Sequence, residues 1–221
     1  MAFEIEWIES KFFNPGKIAN EMLIVHHTGS TNGHINSFQG TIDWFKPAVW
    51  RDWSQVSAQY VIAREERAIV QMVQDEDTAW HAGKSEWVIN GIKRTKLNNR
   101  TIGFELQGDG NLTTYTDFQY EALIWLVKQK MNKFNIPIEL IRGHQEISSH
   151  KVDPGRLFNW DRLKRGLTSS SVYIPDTTDD LVDEDGDGVI YIDETDDVNI
   201  PDGKDRSLFE KFINAILSLF K

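Results

Sequence analysis

The chain contains no cysteine, and this absence excludes several classes of protein. Without thiols there is no disulfide framework, no cysteine-ligated zinc finger and no thiol nucleophile. No run of about 18 apolar residues occurs, so no membrane-spanning helix is predicted. The segment from Met1 to Lys11 carries Glu4, Glu6 and Glu9 and has no basic stretch followed by an apolar one. A classical secretory signal is therefore not predicted.

An excess of basic charge is also missing. The 221 residues carry 24 Lys and Arg against 34 Asp and Glu, a formal net charge of −10. This balance argues against a nucleic-acid partner. Residues 1–167 hold 20 acidic and 20 basic side chains, whereas residues 168–221 hold 14 and 4. We therefore predict a domain boundary after Leu167, where a polar, Asp-rich segment begins.

Patterns typical of strands and helices alternate through residues 1–167. Short apolar runs rich in branched side chains predict strands at Met22–His26, Val56–Ala63, Ala68–Val73, Thr101–Leu106 and Ile138–Ile141. Apolar residues at helical spacing predict helices at Ile35–Phe45, Asp117–Phe134 and Leu157–Leu167. This alternation predicts an α/β domain with a mixed central β-sheet flanked by helices.

Histidine and aspartate concentrate in two places that suggest a metal site. The first predicted strand ends in His26-His27, and a later loop contains His144, His150 and Asp153. Imidazole and carboxylate groups are good zinc ligands, and three such ligands leave a fourth position for water. No HExxH motif is present, so the spacing alone leaves ordinary core or surface histidines as an open alternative.

Five short motifs follow one another from about Met22 to Leu167. They are Val25-His26-His27-Thr28, Ala79-Trp80-His81-Ala82-Gly83, Asn99-Arg100-Thr101-Ile102-Gly103-Phe104-Glu105-Leu106, Gly143-His144 and Lys151-Val152-Asp153-Pro154-Gly155. In this order they resemble the zinc-dependent N-acetylmuramoyl-L-alanine amidases, a family related to the peptidoglycan recognition proteins. The Gly-Phe-Glu-Leu-Gln-Gly stretch and the Lys-x-Asp-Pro-Gly ending are most similar to its AmpD-type branch.

The resemblance implies a role for each matching residue. His26, His144 and Asp153 match the zinc ligands, Glu105 matches the catalytic carboxylate, and Lys151 matches the catalytic lysine. The chemistry agrees, because a zinc ion activates water, a carboxylate moves its proton and an ammonium opposes the developing oxyanion.

Three further residues are expected on the substrate side of the cleft. The resemblance places His81 there rather than on the metal, and Asn99 belongs to the same expectation. Trp80 could stack on a sugar or peptide face, but it could equally be a core aromatic residue.

The implied activity is hydrolysis of the amide bond between N-acetylmuramic acid and the L-alanine of its stem peptide. We favour a cell-wall lytic enzyme, made in the cytoplasm and acting on peptidoglycan after release or non-classical export. One alternative is a cytoplasmic amidase that recycles anhydro-muropeptides. Another, from a different class, is a non-catalytic peptidoglycan-binding module.

Residues 168–204 are predicted to be an acidic linker that contains a calcium loop at 183–194. The loop has Asp at positions 1, 3 and 5, Gly at 6 and Glu at 12. Its predicted calcium ligands are Asp183, Asp185, Asp187, Val189 and Glu194. No helix-forming pattern flanks the loop, so an isolated calcium site or an unstructured acidic linker are the two interpretations.

Residues 205–221 are predicted to form an amphipathic helix. Apolar residues recur at helical spacing from Leu208 to Phe220. Docking on the amidase domain is the favoured interpretation, and pairing with a second chain is an alternative. Contact with a membrane is disfavoured because few basic residues are present.

Overall fold

The computed structural model describes residues 3–46 and 55–169. The predicted calcium loop at 183–194, the predicted helix at 205–221 and nearly all of the predicted linker lie outside the described residues. The domain boundary after Leu167 likewise stays a prediction. Within the described part of the chain, no helix is both long and apolar enough to cross a membrane.

A six-stranded mixed sheet forms the centre of the fold. Its strands are β1 (Glu6–Trp7), β2 (Met22–His27), β3 (Tyr60–Ile62), β4 (Ile69–Gln71), β5 (Thr101–Leu106) and β6 (Ile141–Gly143). Their order across the sheet is β1-β4-β3-β5-β2-β6. Strands β3, β5, β2 and β6 run parallel, β4 is antiparallel to β3, and β1 lies parallel to β4 at the edge. The predicted mixed sheet is confirmed.

Among residues 3–46 and 55–169, four helices and two short 3₁₀ turns accompany the sheet. The helices are α1 (Phe38–Phe45), α2 (Asp117–Phe134), α3 (His144–Ile147) and α4 (Trp160–Thr168), and the turns are Leu97–Arg100 and Ile138–Leu140. Helix α2 has the predicted bounds because its ends are well marked. Thr116 and Gln119 form a capping box at its start, and Asn135 adopts a left-handed conformation at its end.

Several sequence-based boundaries were wrong, and the strand predicted at Val56–Ala63 spans only Tyr60–Ile62. Ile138–Leu140 is a 3₁₀ turn after Pro137, and the strand predicted at Ile138–Ile141 begins only at Ile141. Helix α1 begins at Phe38, because the Ser37 side chain caps it by accepting from Gly40 N. Helix α4 begins at Trp160, where the Asn159 side chain accepts from Arg162 N, a typical N-cap contact.

In the described part of the chain, three antiparallel pairs lie outside the main sheet. They join Phe13–Asn14 to Thr78–Ala79, Ser30–Thr31 to His34–Ile35, and Glu86–Ile89 to Ile92–Thr95. The last pair turns through Asn90 and Gly91, which both have positive φ, 51° and 75°. Asn-Gly favours this two-residue turn, so the sequence itself carries a hairpin signal at these two positions.

Alternation along β2 sends its side chains into two separate cores. Leu23 and Val25 pack with α2, whereas Met22 and Ile24 pack with a second cluster that includes Leu97 and Ile147. All four β2 side chains are fully buried. Because successive strand residues face opposite sides, His26 emerges on the Met22 and Ile24 side, away from α2.

Residues 3–15, the N-terminal segment, are tied to the domain along their length. The ring of Phe3 lies 5.8 Å from that of Phe118 on α2. Ser10 donates to the carbonyl of Phe45 at 2.6 Å. Phe12 is fully buried, and its ring stacks on that of Trp80 with centroids 6.0 Å apart. The segment therefore belongs to the packed domain.

Candidate metal centre and active site

Three buried side chains meet beyond the ends of two adjacent strands. His26 lies near the end of β2, and His144 directly follows β6, where Gly143 pairs with Val25. The loop after α3 then carries Asp153 to them. His26 Nδ1 lies 3.0 Å from His144 Nδ1 and 2.9 Å from Asp153 Oδ2, and His144 Nδ1 lies 3.0 Å from the same oxygen.

This donor set fits a zinc ion. Two imidazole nitrogens and one carboxylate oxygen face one point, and zinc takes these atoms at about 2.0–2.2 Å. Burial lowers the pKa of His26 to about 4, which keeps its imidazole neutral near pH 7, as a metal ligand must be. Burial alone raises the pKa of Asp153, but the contacts of its carboxylate with His144 and His26 outweigh burial and keep the carboxylate ionised.

Glu105 stands beside this cluster on the neighbouring strand. It is the register partner of His26 across the β5–β2 pair, so both side chains leave the same face of the sheet. Its Oε2 atom is buried and has no hydrogen-bond partner among the described residues. Burial, and next the charge of Asp153, raise the pKa of Glu105 well above its ordinary value. A carboxyl group in this state is suited to proton transfer.

Lys151 brings a positive charge close to His26 and Glu105. Its side chain is exposed and precedes Asp153 by two residues. Its charge acts on both neighbours, since it lowers the pKa of His26 and that of Glu105. The structure thus brings together the five residues that the resemblance assigned to zinc binding and catalysis.

His81 lies behind the metal ligands rather than on an open surface. Only 8% of its surface is exposed, and its Nδ1 lies 2.9 Å from Nε2 of His26. Its other ring nitrogen lies 3.0 Å from Oγ1 of Thr101. Both ring nitrogens thus face protein atoms, and the substrate-binding role of His81 stays a prediction.

The contacts of Trp80 and Asn99 are also internal. Trp80 donates from Nε1 to the Asn14 side chain at 2.6 Å, in addition to stacking on Phe12. The Asn99 carbonyl accepts from the backbone of Ile18 at 3.0 Å. Their substrate-binding roles stay predictions.

Sequence reasoning missed the neighbouring Asn98. Its side-chain oxygen accepts from the backbone nitrogens of His81 and Ala82, at 3.1 and 2.6 Å. Asn98 and Asn99 are identical neighbours, so the sequence does not indicate which of the two side chains contacts the backbone at His81 and Ala82. Only the fold determines this.

A groove of about 770 Å³ runs beside α3. One wall is the hairpin Glu86–Ile89 and Ile92–Thr95, and the other is the stretch from Gln145 to His150. Trp87 lines it, with the Arg142 guanidinium 4.9 Å from the centre of its ring. The groove offers space for an extended ligand next to the helix that begins at His144.

Residues 16–156 match the sequence model of a family described as N-acetylmuramoyl-L-alanine amidase. The chain belongs to this family. The amidase is 33% identical over 159 residues to the 1,6-anhydro-N-acetylmuramyl-L-alanine amidase AmpD of Enterobacter cloacae, which covers 68% of this chain and 82% of AmpD. The suspected relationship is confirmed, and with it the assignment as a hydrolase rather than a non-catalytic binding module.

Solved structures agree with this assignment. A selenomethionine derivative of AmpD superposes with a TM-score of 0.66 at 25% identity, over 76% of this amidase and 100% of that chain. AmiD of E. coli, solved with anhydro-N-acetylmuramic acid-L-Ala-D-γ-Glu-L-Lys, superposes with a TM-score of 0.53 at 27% identity. That alignment covers 66% of this chain and 57% of AmiD. The mixed sheet with flanking helices is thus the fold of the family.

Proposed function

We propose that this amidase holds a zinc ion with His26, His144 and Asp153 and hydrolyses the bond between N-acetylmuramic acid and L-alanine. The observation that carries the proposal is the meeting of the three ligand atoms at 2.9–3.0 Å, with Glu105 in register with His26. When bound, zinc supplies a Lewis acid that polarises the scissile carbonyl and increases the acidity of water.

The remaining steps belong to the protein's own side chains. Glu105 accepts a proton from the attacking water, whose oxygen bonds to the carbonyl carbon. It then delivers that proton to the alanine nitrogen as the carbon–nitrogen bond breaks. The Lys151 ammonium opposes the negative charge that develops on the carbonyl oxygen. The products are the carboxylic acid on the muramic acid and a peptide with a free L-alanine amine.

Two substrate forms remain, and different observations favour them. Relatives named for their action on 1,6-anhydro-N-acetylmuramyl-L-alanine favour a soluble muropeptide, which the enzyme would meet in the cytoplasm. The predicted calcium loop favours the cell wall, because cytosolic calcium would leave such a loop mostly empty. A lytic enzyme made in the cytoplasm would reach the wall after release or non-classical export.

One assay tests both parts of the proposal. The zinc-loaded full chain is given intact sacculi, a muropeptide with N-acetylmuramic acid and its 1,6-anhydro counterpart, and products are identified by mass spectrometry. We expect a new L-alanine amine in each cleaved product. Faster cleavage of the anhydro form identifies a recycling enzyme, and faster cleavage of sacculi a lytic one. Cleavage of glycosidic or peptide bonds, or zinc-independent turnover, would refute the proposed reaction.

The calcium site is a separate proposal, for the loop that contains Asp183, Asp185, Asp187, Val189 and Glu194. Calcium bound there would neutralise two of the ten excess negative charges. We expect calcium to raise the midpoint of thermal unfolding of the wild type and to leave that of Asp183→Ala unchanged. A wild type that does not respond to calcium would leave the loop as an acidic linker.

A further inference from the structure

A chain of hydrogen bonds leads from the metal-binding histidine to a backbone carbonyl. His26 Nε2 lies 2.9 Å from His81 Nδ1, and His81 Nε2 lies 3.0 Å from Thr101 Oγ1. The Thr101 hydroxyl donates to the carbonyl of Leu97 at 2.8 Å. The three side chains in this series, those of His26, His81 and Thr101, are all buried.

The Leu97 carbonyl at the end of this series of hydrogen bonds determines which atom donates and which accepts in each of them. A carbonyl oxygen only accepts, so the single hydroxyl proton of Thr101 is committed to Leu97. Thr101 Oγ1 must then accept from Nε2–H of His81. A neutral His81 that is protonated at Nε2 has a bare Nδ1, which accepts from Nε2–H of His26. Nδ1 of His26 is thereby left with a free lone pair, on the side that faces Asp153 and His144.

We propose that Thr101 and His81 are positioning residues that fix the tautomer and ring orientation of His26 for metal binding. The inference rests on the zinc site of the proposed function. Outer hydrogen-bond partners of this kind orient metal ligands and make them more basic. In this amidase the outer partner is an imidazole, and the backbone carbonyl beyond Thr101 determines which of its nitrogens carries the proton.

The surroundings of His81 leave its ring no other position. A Cβ atom on Gly103 would lie 2.7 Å from His81 Nδ1 and 2.8 Å from its Cγ, so the ring rests directly on the glycine backbone. Asn98 holds the backbone at His81, and the planes of the His81 and His26 rings meet at 89°. Gly103 therefore contacts the His81 ring directly, and Asn98 fixes the backbone of His81.

The two metal-binding histidines differ in this respect. His144 Nε2 is buried and has no hydrogen-bond partner among the described residues. Its orientation depends on its position at the start of α3, whereas that of His26 depends on the chain through His81. A change at Thr101 should therefore affect the metal site through His26 alone.

Thr101→Val and Thr101→Ser form a matched pair for the test. Valine keeps the branched shape but cannot accept from His81, whereas serine keeps the hydroxyl. We expect zinc affinity, measured by competition with a chelator, to fall about 10- to 100-fold in the valine variant and to stay within about threefold of wild type in the serine variant. Equal affinity in wild type and a folded Thr101→Val would overturn the inference.

A spectroscopic measurement covers the case in which the valine variant does not fold. Long-range ¹H–¹⁵N spectra of the zinc-loaded wild type should show His81 neutral, protonated at Nε2 and bare at Nδ1. A His81 protonated at Nδ1 would refute the direction of the chain. The two levels of failure are separable, because a wild type that binds no zinc refutes the proposed metal site. Tight zinc binding that is equally strong in the wild type and in Thr101→Val refutes only the positioning role.

Discussion

Glu105 and His26 are register partners on two adjacent parallel strands, so the hydrogen-bond ladder of the sheet fixes their separation. Three of the five proposed zinc-binding and catalytic residues, His26, Glu105 and His144, lie on or just after a strand. The other two lie in the loop after α3, and the Glu105–His26 pair lies within the sheet itself. A site built on strands holds its geometry better than one built on loops. The general base and one metal ligand are thus positioned independently of the loops that surround them.

Glu105→Gln should abolish most of the activity while the fold and the metal site persist. Glutamine cannot accept and return a proton, so we expect kcat to fall about 10²- to 10⁴-fold. Removal of a buried ionisable group with an unpaired oxygen should leave thermal stability unchanged or higher. Steady-state kinetics, zinc content and thermal unfolding check the three expectations.

The matched control is Glu65→Gln, since the Glu65 side chain is 76% exposed on a hairpin turn. It should have wild-type kinetics. A Glu105→Gln enzyme that keeps wild-type kcat would exclude Glu105 as the proton carrier.

Lys151→Met should slow the reaction without destabilising the domain. The side chain is exposed, so its packing contributes little, but its charge acts on His26 and Glu105. Loss of one group that stabilises an oxyanion typically costs about 10²- to 10³-fold in kcat. Lys164→Met, at an exposed position on α4, removes the same charge and serves as the control. If both variants had the same kcat, Lys151 would have no specific role.

Asp153→Ala should abolish the stabilisation that zinc gives. Zinc at 100 times its dissociation constant would stabilise the native wild type by about 2.7 kcal/mol. Without the carboxylate, only two imidazoles remain of the cluster. Differential scanning calorimetry with and without a chelator measures the difference. The same zinc-dependent rise in both proteins would place the ion elsewhere.

The ion pair between Asp75 and Lys130 should make stability depend on pH. Their charged atoms lie 2.9 Å apart, and both side chains are at least nine-tenths buried. Burial raises the pKa of Asp75, but hydrogen bonds from Lys130, Tyr60 and Lys133 outweigh it and hold the pKa below its usual value. The stabilisation is therefore present above the unfolded-state pKa of about 3.9 and is lost as pH falls through the lower folded-state pKa.

Asp75→Asn tests this sign. At pH 7 the variant leaves Lys130 buried without its partner, so the free energy of unfolding should fall by about 3–5 kcal/mol. The deficit should shrink below about pH 4, because the carboxyl of the unfolded wild type then takes up a proton that the native carboxyl, with its lowered pKa, still resists. Urea unfolding at pH 7 and pH 3 measures both values, with the exposed Glu76→Gln as control. An equal deficit at the two pH values would contradict the assignment.

The sequence was informative where chemistry and local pattern coincide. His26, Glu105 and His144 could be found because each is part of a motif at a strand or its end, and α2 because capping residues mark both of its ends. The contact of His81 with His26 could not be predicted from the sequence, for a physical reason. The position of His81 depends on the two-residue strand Thr78–Ala79, which pairs with Phe13–Asn14 more than sixty positions earlier in the chain. Pairings so short and so distant leave no periodic signal in the sequence.

The N-terminal segment lies outside the family match, yet the site depends on its contacts. The match begins at residue 16, yet Phe12 and Asn14 hold Trp80, the residue before His81. A catalytic domain cut or fused at residue 16 would lose the contacts of Phe12 and Asn14 with Trp80, although it would keep all five family motifs. Chimeras built with this domain should therefore start upstream of Phe3. The residues that support Trp80 and His81 are then transferred together with the proposed metal ligands.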